Sequence, residues 1–163
     1  MADVDEPGHL DGESLPQGRR QDLDNRFRSD PMASSLGLDL QAWGLGTAQV
    51  ELAIGPQHSN FVGGAHGGVL FSIGDFAMSV ASNSHGRLSV AVQLDISYHH
   101  GVEIGDVVVA TAKERSRSRR LGSYLVELYV QERLMASSTG ITFRTQDWWS
   151  GADAWPEEWR RRY

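Results

Sequence analysis

Between Asn60 and Ala81 the chain changes character within a few residues. It reads Asn60-Phe-Val-Gly-Gly-Ala-His66-Gly-Gly and then Val-Leu-Phe-Ser-Ile-Gly-Asp75-Phe-Ala-Met-Ser-Val-Ala. Four glycines in the first nine residues rule out regular structure there. From about Val69 the apolar residues recur at helical spacing, through Leu70, Ile73, Ala77, Val80 and Ala81. A helix apolar on most of its circumference is expected to be buried. Asp75 sits in its middle, and a lone ionised carboxylate in such a helix costs several kcal/mol, ~2 or more, unless it is paired or has a use. That conflict is the main functional clue in the chain.

Strands surround this segment in sequence. Asp30-Pro31 predicts a cap and first position of a short helix through Leu36, stopped at Gly37. A hairpin follows: Leu38 and Leu40, a bend at Gly44/Gly46, then Ala48, Val50, Leu52 and Ile54 alternating with polar residues. The central helix is expected to end near Ser82–Gly86. After it, Val90 to Tyr98, Val107 to Thr111, Tyr124 to Val130 and Met135 to Phe143 read as successive strands. One long helix with five to six antiparallel strands is an α+β domain, expected over residues 30–145. Residues 1–29, rich in Asp, Glu, Gly and Arg, are expected to form a flexible acidic leader. Residues 146–163 form a tail with four of the five tryptophans, expected to pack against the body or a partner subunit.

Charge narrows the partners. The net charge is −6, and five of the eight bases between residues 31 and 144 fall in Lys113–Arg120. A nucleic-acid surface needs a wider basic footprint, whereas one patch suits a phosphorylated small molecule. No apolar run reaches the roughly 18 residues of a membrane span. The acidic N-terminus does not resemble a signal peptide, so a cytoplasmic protein is expected. The chain has no cysteine, which excludes disulfides and thiol catalysis. The histidines show no metal-ligand spacing, so no metal site is expected.

The motif itself resembles that of the PaaI-like acyl-CoA thioesterases, a hotdog-fold family in which a sheet wraps one long helix. Their pattern of Asn, Gly three later, His three after that, Gly-Gly, and Asp nine past the His is met by Asn60, Gly63, His66, Gly67, Gly68 and Asp75. The resemblance covers roughly residues 31–144. It implies that the Gly67 amide, at a helix N-terminus where free N–H groups favour negative charge, holds the thioester carbonyl oxygen. It implies Asp75 as nucleophile or general base, with His66 and Asn60 positioning the thioester and water, and Gly63 and Gly68 beside the substrate. Arg115, Arg117 and Arg119 are candidates for the coenzyme A phosphates, and no separate cofactor is implied. Two positions depart from the pattern: Ala91 stands where relatives carry a hydroxyl, and His99-His100 where an Arg-Pro pair is usual. A non-catalytic acyl-CoA-binding module and a hotdog dehydratase are the competing readings.

Spacing adds an expectation about assembly. Gly67 and Asp75 are eight residues apart, about 12 Å along a helix, so they do not both reach one carbonyl group. An antiparallel helix from a second copy would bring its Asp75 beside this Gly67. A homodimer with a shared site is therefore expected, and further pairing to a tetramer.

Overall fold

The computed structural model describes residues 14–163. Its elements run α1 (Arg19–Arg28), α2 (Pro31–Leu36), β1 (Asp39–Gly44), β2 (Thr47–Ala53), α3 (Gly67–Asn83), β3 (Arg87–Tyr98), β4 (Val107–Arg117), β5 (Leu121–Val130), β6 (Arg133–Trp148) and α4 (Glu157–Arg162). The six strands form one antiparallel sheet in the order β1-β2-β4-β5-β6-β3. Helix α3 packs on β2, β4, β3 and β5. Sheet and helix together form the expected hotdog fold.

Alternation builds the core. Val50 and Leu52 of β2, Val108, Ala110 and Ala112 of β4, and Tyr124, Val126 and Leu128 of β5 turn inward and are buried. Leu70, Ile73, Ala77, Met78 and Ala81 of α3 meet them. The helix approaches β6 so closely that a Cβ on Gly140 would lie 2.1 Å from the Met78 sulfur. A larger residue there would force the Met78 and Leu94 side chains to move.

Three expectations need adjustment. The leader is not flexible throughout: residues 19–28 are helical, with Leu23 and Phe27 buried. Phe27 meets the Trp43 ring edge-on at 5.1 Å, and Asp24 accepts from the Trp43 indole N–H at 2.9 Å. Residues 1–13 of that leader lie outside the described residues. Second, β6 is longer than expected and continues to Trp148, carrying the chain over the C-terminal end of α3. Third, α3 is not enclosed all round. Gly68 and Phe71 are exposed and Ser72, Asp75 and Ser79 half-buried, and their spacing places them on one uncovered face. No helix among the described residues is long and apolar enough to cross a membrane.

Candidate active site

The loop before α3 is held almost wholly by its own backbone and by Asn60. The Asn60 Oδ1 accepts from Val62 N at 2.8 Å, and its Nδ2 donates to Ala65 O at 3.1 Å. Asn60 N donates to Gly64 O at 2.8 Å and Gly63 N returns to Asn60 O at 3.1 Å, a turn that Gly63 completes at φ +102°. Ala65 N reaches Val102 O at 2.8 Å, and His66 N reaches His58 O at 2.8 Å. The loop therefore enters the helix along one fixed path.

His66 is the N-cap of α3. Its Nδ1 accepts from Gly68 N at 2.9 Å, which places the proton of the neutral ring on the outward Nε2. Gly68's amide is thereby occupied, while Val69 and Leu70 N–H groups go to His66 O. The Gly67 N–H donates to no described residue. One unpaired donor thus remains at the positive end of the helix, beside a second donor on His66. Tyr98, at the end of β3, closes the far side by donating its hydroxyl to Gly67 O at 2.8 Å.

Two turns along, the Asp75 carboxylate has no hydrogen-bond or ion-pair partner among the described residues. Ser72, the nearest candidate by spacing, donates instead to Gly68 O at 2.9 Å. Burial, and then the negative charge of Asp30, holds the Asp75 carboxyl above the ordinary carboxylate range. A half-buried carboxylate without a partner among the described residues has the chemistry to take up a proton or to attack a carbonyl carbon.

Similarity to known proteins identifies the family. The Thioesterase superfamily pattern matches residues 62–137. A relative from Archaeoglobus fulgidus is 31% identical over 125 residues, covering 76% of this chain and 81% of its own. The acyl-coenzyme A thioesterase PaaI of Escherichia coli is 33% identical over 107 residues, 66% of this chain and 76% of that protein. The E. coli PaaI structure superposes with a TM-score of 0.76 at 31% identity, over 81% of this chain and 96% of that one. The chain belongs to the PaaI-like hotdog thioesterases. A Streptococcus mutans protein solved with acetyl CoA also matches, with a TM-score of 0.64 at 25% identity over 66% of this chain and 88% of that one.

As a member of the thioesterase family the chain is a thioester hydrolase. In it, Asn60, Gly63, His66, Gly67 and Gly68 gather at one end of α3, with Asp75 further along the same helix. The arginines do not gather with them. Arg115 lines an outer-face cavity with Trp43 and Lys113, whereas Arg117 and Arg119 line another with Tyr163. Arg117 is 3.5 Å from Glu114, which lies 3.9 Å from His85, just past the C-terminal end of α3. Within one chain that is a helix length from Gly67, about 24 Å at 1.5 Å per residue. Tyr98 was not singled out from the sequence, although its place as the last alternating residue of β3 is a usable signal. Ala91 is exposed, His99 Nε2 lies 2.8 Å from Ser137 Oγ, and His100 Nδ1 accepts from Arg133 at 2.8 Å. No group of three or more metal-ligating side chains is gathered among the described residues.

Proposed function

We propose that the protein hydrolyses an acyl- or aryl-acyl-CoA thioester to the free acid and coenzyme A, at a site built by two copies of the chain. The Gly67 N–H of one copy, with His66 Nε2–H beside it, stabilises the charge that develops on the thioester oxygen. Asp75 of the other copy attacks the carbonyl carbon or takes a proton from the attacking water. The carbon–sulfur bond breaks, the coenzyme leaves as its thiol after protonation, and an oxygen from water ends in the acid. Asn60 acts through the loop it ties, so it is a positioning residue.

The observation that carries this reading is the pair of unsatisfied groups: an amide donor at the start of α3 and a carboxylate about 12 Å along it. Each lacks a partner among the described residues of its own chain, and an antiparallel second helix would supply each with the other. Two surfaces support the pairing. The face of α3 carrying Asp75 is uncovered, and β3 is an edge strand that exposes Val90 and Val92 with its outer hydrogen-bonding edge unpaired. Antiparallel β3–β3 pairing would cover such an edge and bring the helices side by side. A tetramer made from two such dimers completes the proposed assembly.

The test is thiol release from a panel of acyl- and aryl-acyl-CoA thioesters, with a carrier-protein thioester alongside. Release from CoA thioesters supports the reading; binding without release on any of them leaves only an acyl-CoA-binding module. Mixing tests the shared site. Gly67→Pro removes the N–H at a first helical position that accepts proline, after a residue (His66) already extended at ψ 131°. Co-assembled Asp75→Asn and Gly67→Pro chains should regain one working site per mixed dimer. Background activity in verified mixed dimers of folded chains would exclude the shared site.

A further inference from the structure

A second feature, at the opposite end of α3, is more highly charged than anything at the catalytic loop. A cavity of about 490 Å³ is lined by seven arginines, with Ser118 and Tyr163. Four sequence regions build it: Arg87 from the start of β3, Arg117 and Arg119 from the β4–β5 hairpin, Arg144 from β6, and residues 160–162 from α4. No Asp or Glu side chain lines it, and the Tyr163 end of the chain brings an oxygen that Arg144 and Arg87 already engage. Glu114 lies 3.5 Å from Arg117, and Glu157 pairs with Arg161.

The wall is built, not incidental. Arg144 is only 5% exposed, and its guanidinium donates to Ser118 O at 2.6 Å and to Tyr163 O. Arg87 donates to Thr145 O and, at 3.4 Å, to Tyr163 O. These four bonds fix the orientation of both guanidinium groups. Burial, then the charges of Arg117 and Arg87, pulls Arg144 down to about 10. Crowded, oriented guanidinium groups form a receptor for a multiply charged oxyanion, which they can grip in bidentate pairs.

We infer that this arginine cavity binds a phosphate-bearing small molecule, through a surface that the C-terminal tail completes. The ligand chemistry has two sources. One is the nucleotide end of the coenzyme whose thioester sits in the neighbouring copy's site; the other is a separate phosphorylated ligand. The coenzyme assignment rests on the shared-site reading above, while phosphate binding itself does not. Helix geometry favours the coenzyme. If Asp75 of one copy lies opposite Gly67 of the other, the end of the first copy's α3 at Asn83 lies about 12 Å beyond that Gly67. The arginine cavity stands there, on the far side of the oxyanion donor from the helix that bears it. A coenzyme arm running outward from the thioester would arrive at it.

The experiment is calorimetric titration of the full chain with adenosine 3′,5′-bisphosphate and, separately, inorganic pyrophosphate. Wild-type protein should bind at least one of them, more weakly as salt rises. Arg119→Gln/Arg162→Gln should weaken that binding roughly 10-fold or more, since each lost charged contact counts. Arg119→Glu, in an exposed hairpin turn, provides a second variant should the double one fold poorly. Arg133→Gln, at the other end of β6, should not alter binding and controls for net charge. A raised KM for CoA thioesters in the Arg119→Gln/Arg162→Gln chain, with kcat kept, assigns the cavity to the coenzyme. Lost probe binding with an unaltered KM assigns it to a separate phosphate ligand. If folded wild-type protein binds neither probe at low salt, or if Arg133→Gln weakens binding as much as the cavity variants, the site is overturned. A protein inactive on every thioester yet binding the probes would count against the thioesterase reading alone.

Discussion

The two ends of α3 are built on opposite plans. At the N-terminal end, four glycines and a self-bonded loop leave the Gly67 N–H without a partner among the described residues, His66 Nε2 outward and Phe61 fully exposed. At the C-terminal end almost every polar group is spoken for. Asn83 bonds both ways with Ser89, the Trp149 indole donates to Asn83 Oδ1 at 2.9 Å, and the Trp159 indole donates to His85 O at 2.9 Å. Trp155, Trp159, Tyr163 and His85 stack across it. At the C-terminal end the helix itself is closed in by packing that carries stability, with the arginine cavity outside it; at the N-terminal end the helix's own groups are left unsatisfied, and unsatisfied groups are what a substrate or a second chain can engage.

The strongest way to break this contrast is at Asp75. Asp75→Asn keeps the shape and removes the charge and basicity, so kcat should fall about 10²–10⁴-fold. Stability should move the other way. Because the folded carboxyl is held above its ordinary value of 3.8, the folded state binds more protons than the unfolded one as pH rises through that window. Stability is lost there, and the loss persists at pH 7. The Asn variant should therefore melt higher than wild type at pH 7, with the gain vanishing below the ordinary carboxylate value. A less stable variant with near-normal turnover would make Asp75 a structural residue.

The closed end should answer to packing. Gly86 lies at φ +86°, and a Cβ there would stand 2.0 Å from the Trp155 ring. Gly86→Ala should cost about 1–3 kcal/mol from overpacking, plus roughly 1–2 kcal/mol from the backbone. Gly63→Ala, at φ +102° with nothing within 4 Å, should cost only the backbone part. Equal losses in chemical denaturation would show that the tail does not press on Gly86 in solution.

Much of the open end was legible from the sequence, because its signals are local. The Gly-rich run, the Asn60-to-Asp75 motif spacing and the helical spacing lie within 25 residues, and α3 begins two residues before the expected Val69. What depends on distant packing was not legible. The Leu23/Phe27 spacing fits a helix, but its stability comes from Trp43, across the chain. The odd-numbered arginines of β4 would share a face by simple alternation. A register shift between Glu114 and Ser116 turns Arg117 toward Glu114 and Tyr163, leaving Arg115 on the outer face. No pattern of residue types announces a bulge. Which residues make up the uncovered face of α3 was not legible either, since an apolar helix reads the same whether its last neighbour is its own sheet or another copy.

His85 sharpens the contrast through acid. Burial, then the charges of Arg117 and Arg144, pulls its imidazole down from 6.5 to about 2, and Glu114 at 3.9 Å does not offset them. The unfolded chain then binds a proton below 6.5 that the folded chain refuses, so stability falls as pH drops from there toward 2. The slope approaches about 1.4 kcal/mol per pH unit once the unfolded histidine is protonated. His85→Phe keeps a ring against Tyr163, stacked at 4.8 Å in the native pair, and should flatten the stability profile between pH 6 and 4. An unchanged slope in urea melts across that range would mean that the closed end already admits a protonated ring.

The smallest effect is expected where the open end touches α2. Asp30 caps that helix, its Oδ1 accepting from Ala33 N at 2.7 Å, and its charge is the second cause of the raised Asp75 carboxyl. Asparagine caps as well as aspartate, so Asp30→Asn should leave α2 and the melting behaviour nearly intact, within about 0.5 kcal/mol. It removes the like charge but not the burial of Asp75. The Asp75 carboxyl should then ionise at lower pH than in wild type while staying above its ordinary value. If Asp75 works as an ionised base or nucleophile, the acid limb of the kcat/KM profile should move to lower pH, with the plateau near pH 7 little changed. In an Asp75→Asn background the same substitution should shift nothing, because the group that titrates is gone. A limb that stays put in the single variant would show that another group governs it, and one that moves to higher pH would contradict the electrostatic coupling outright.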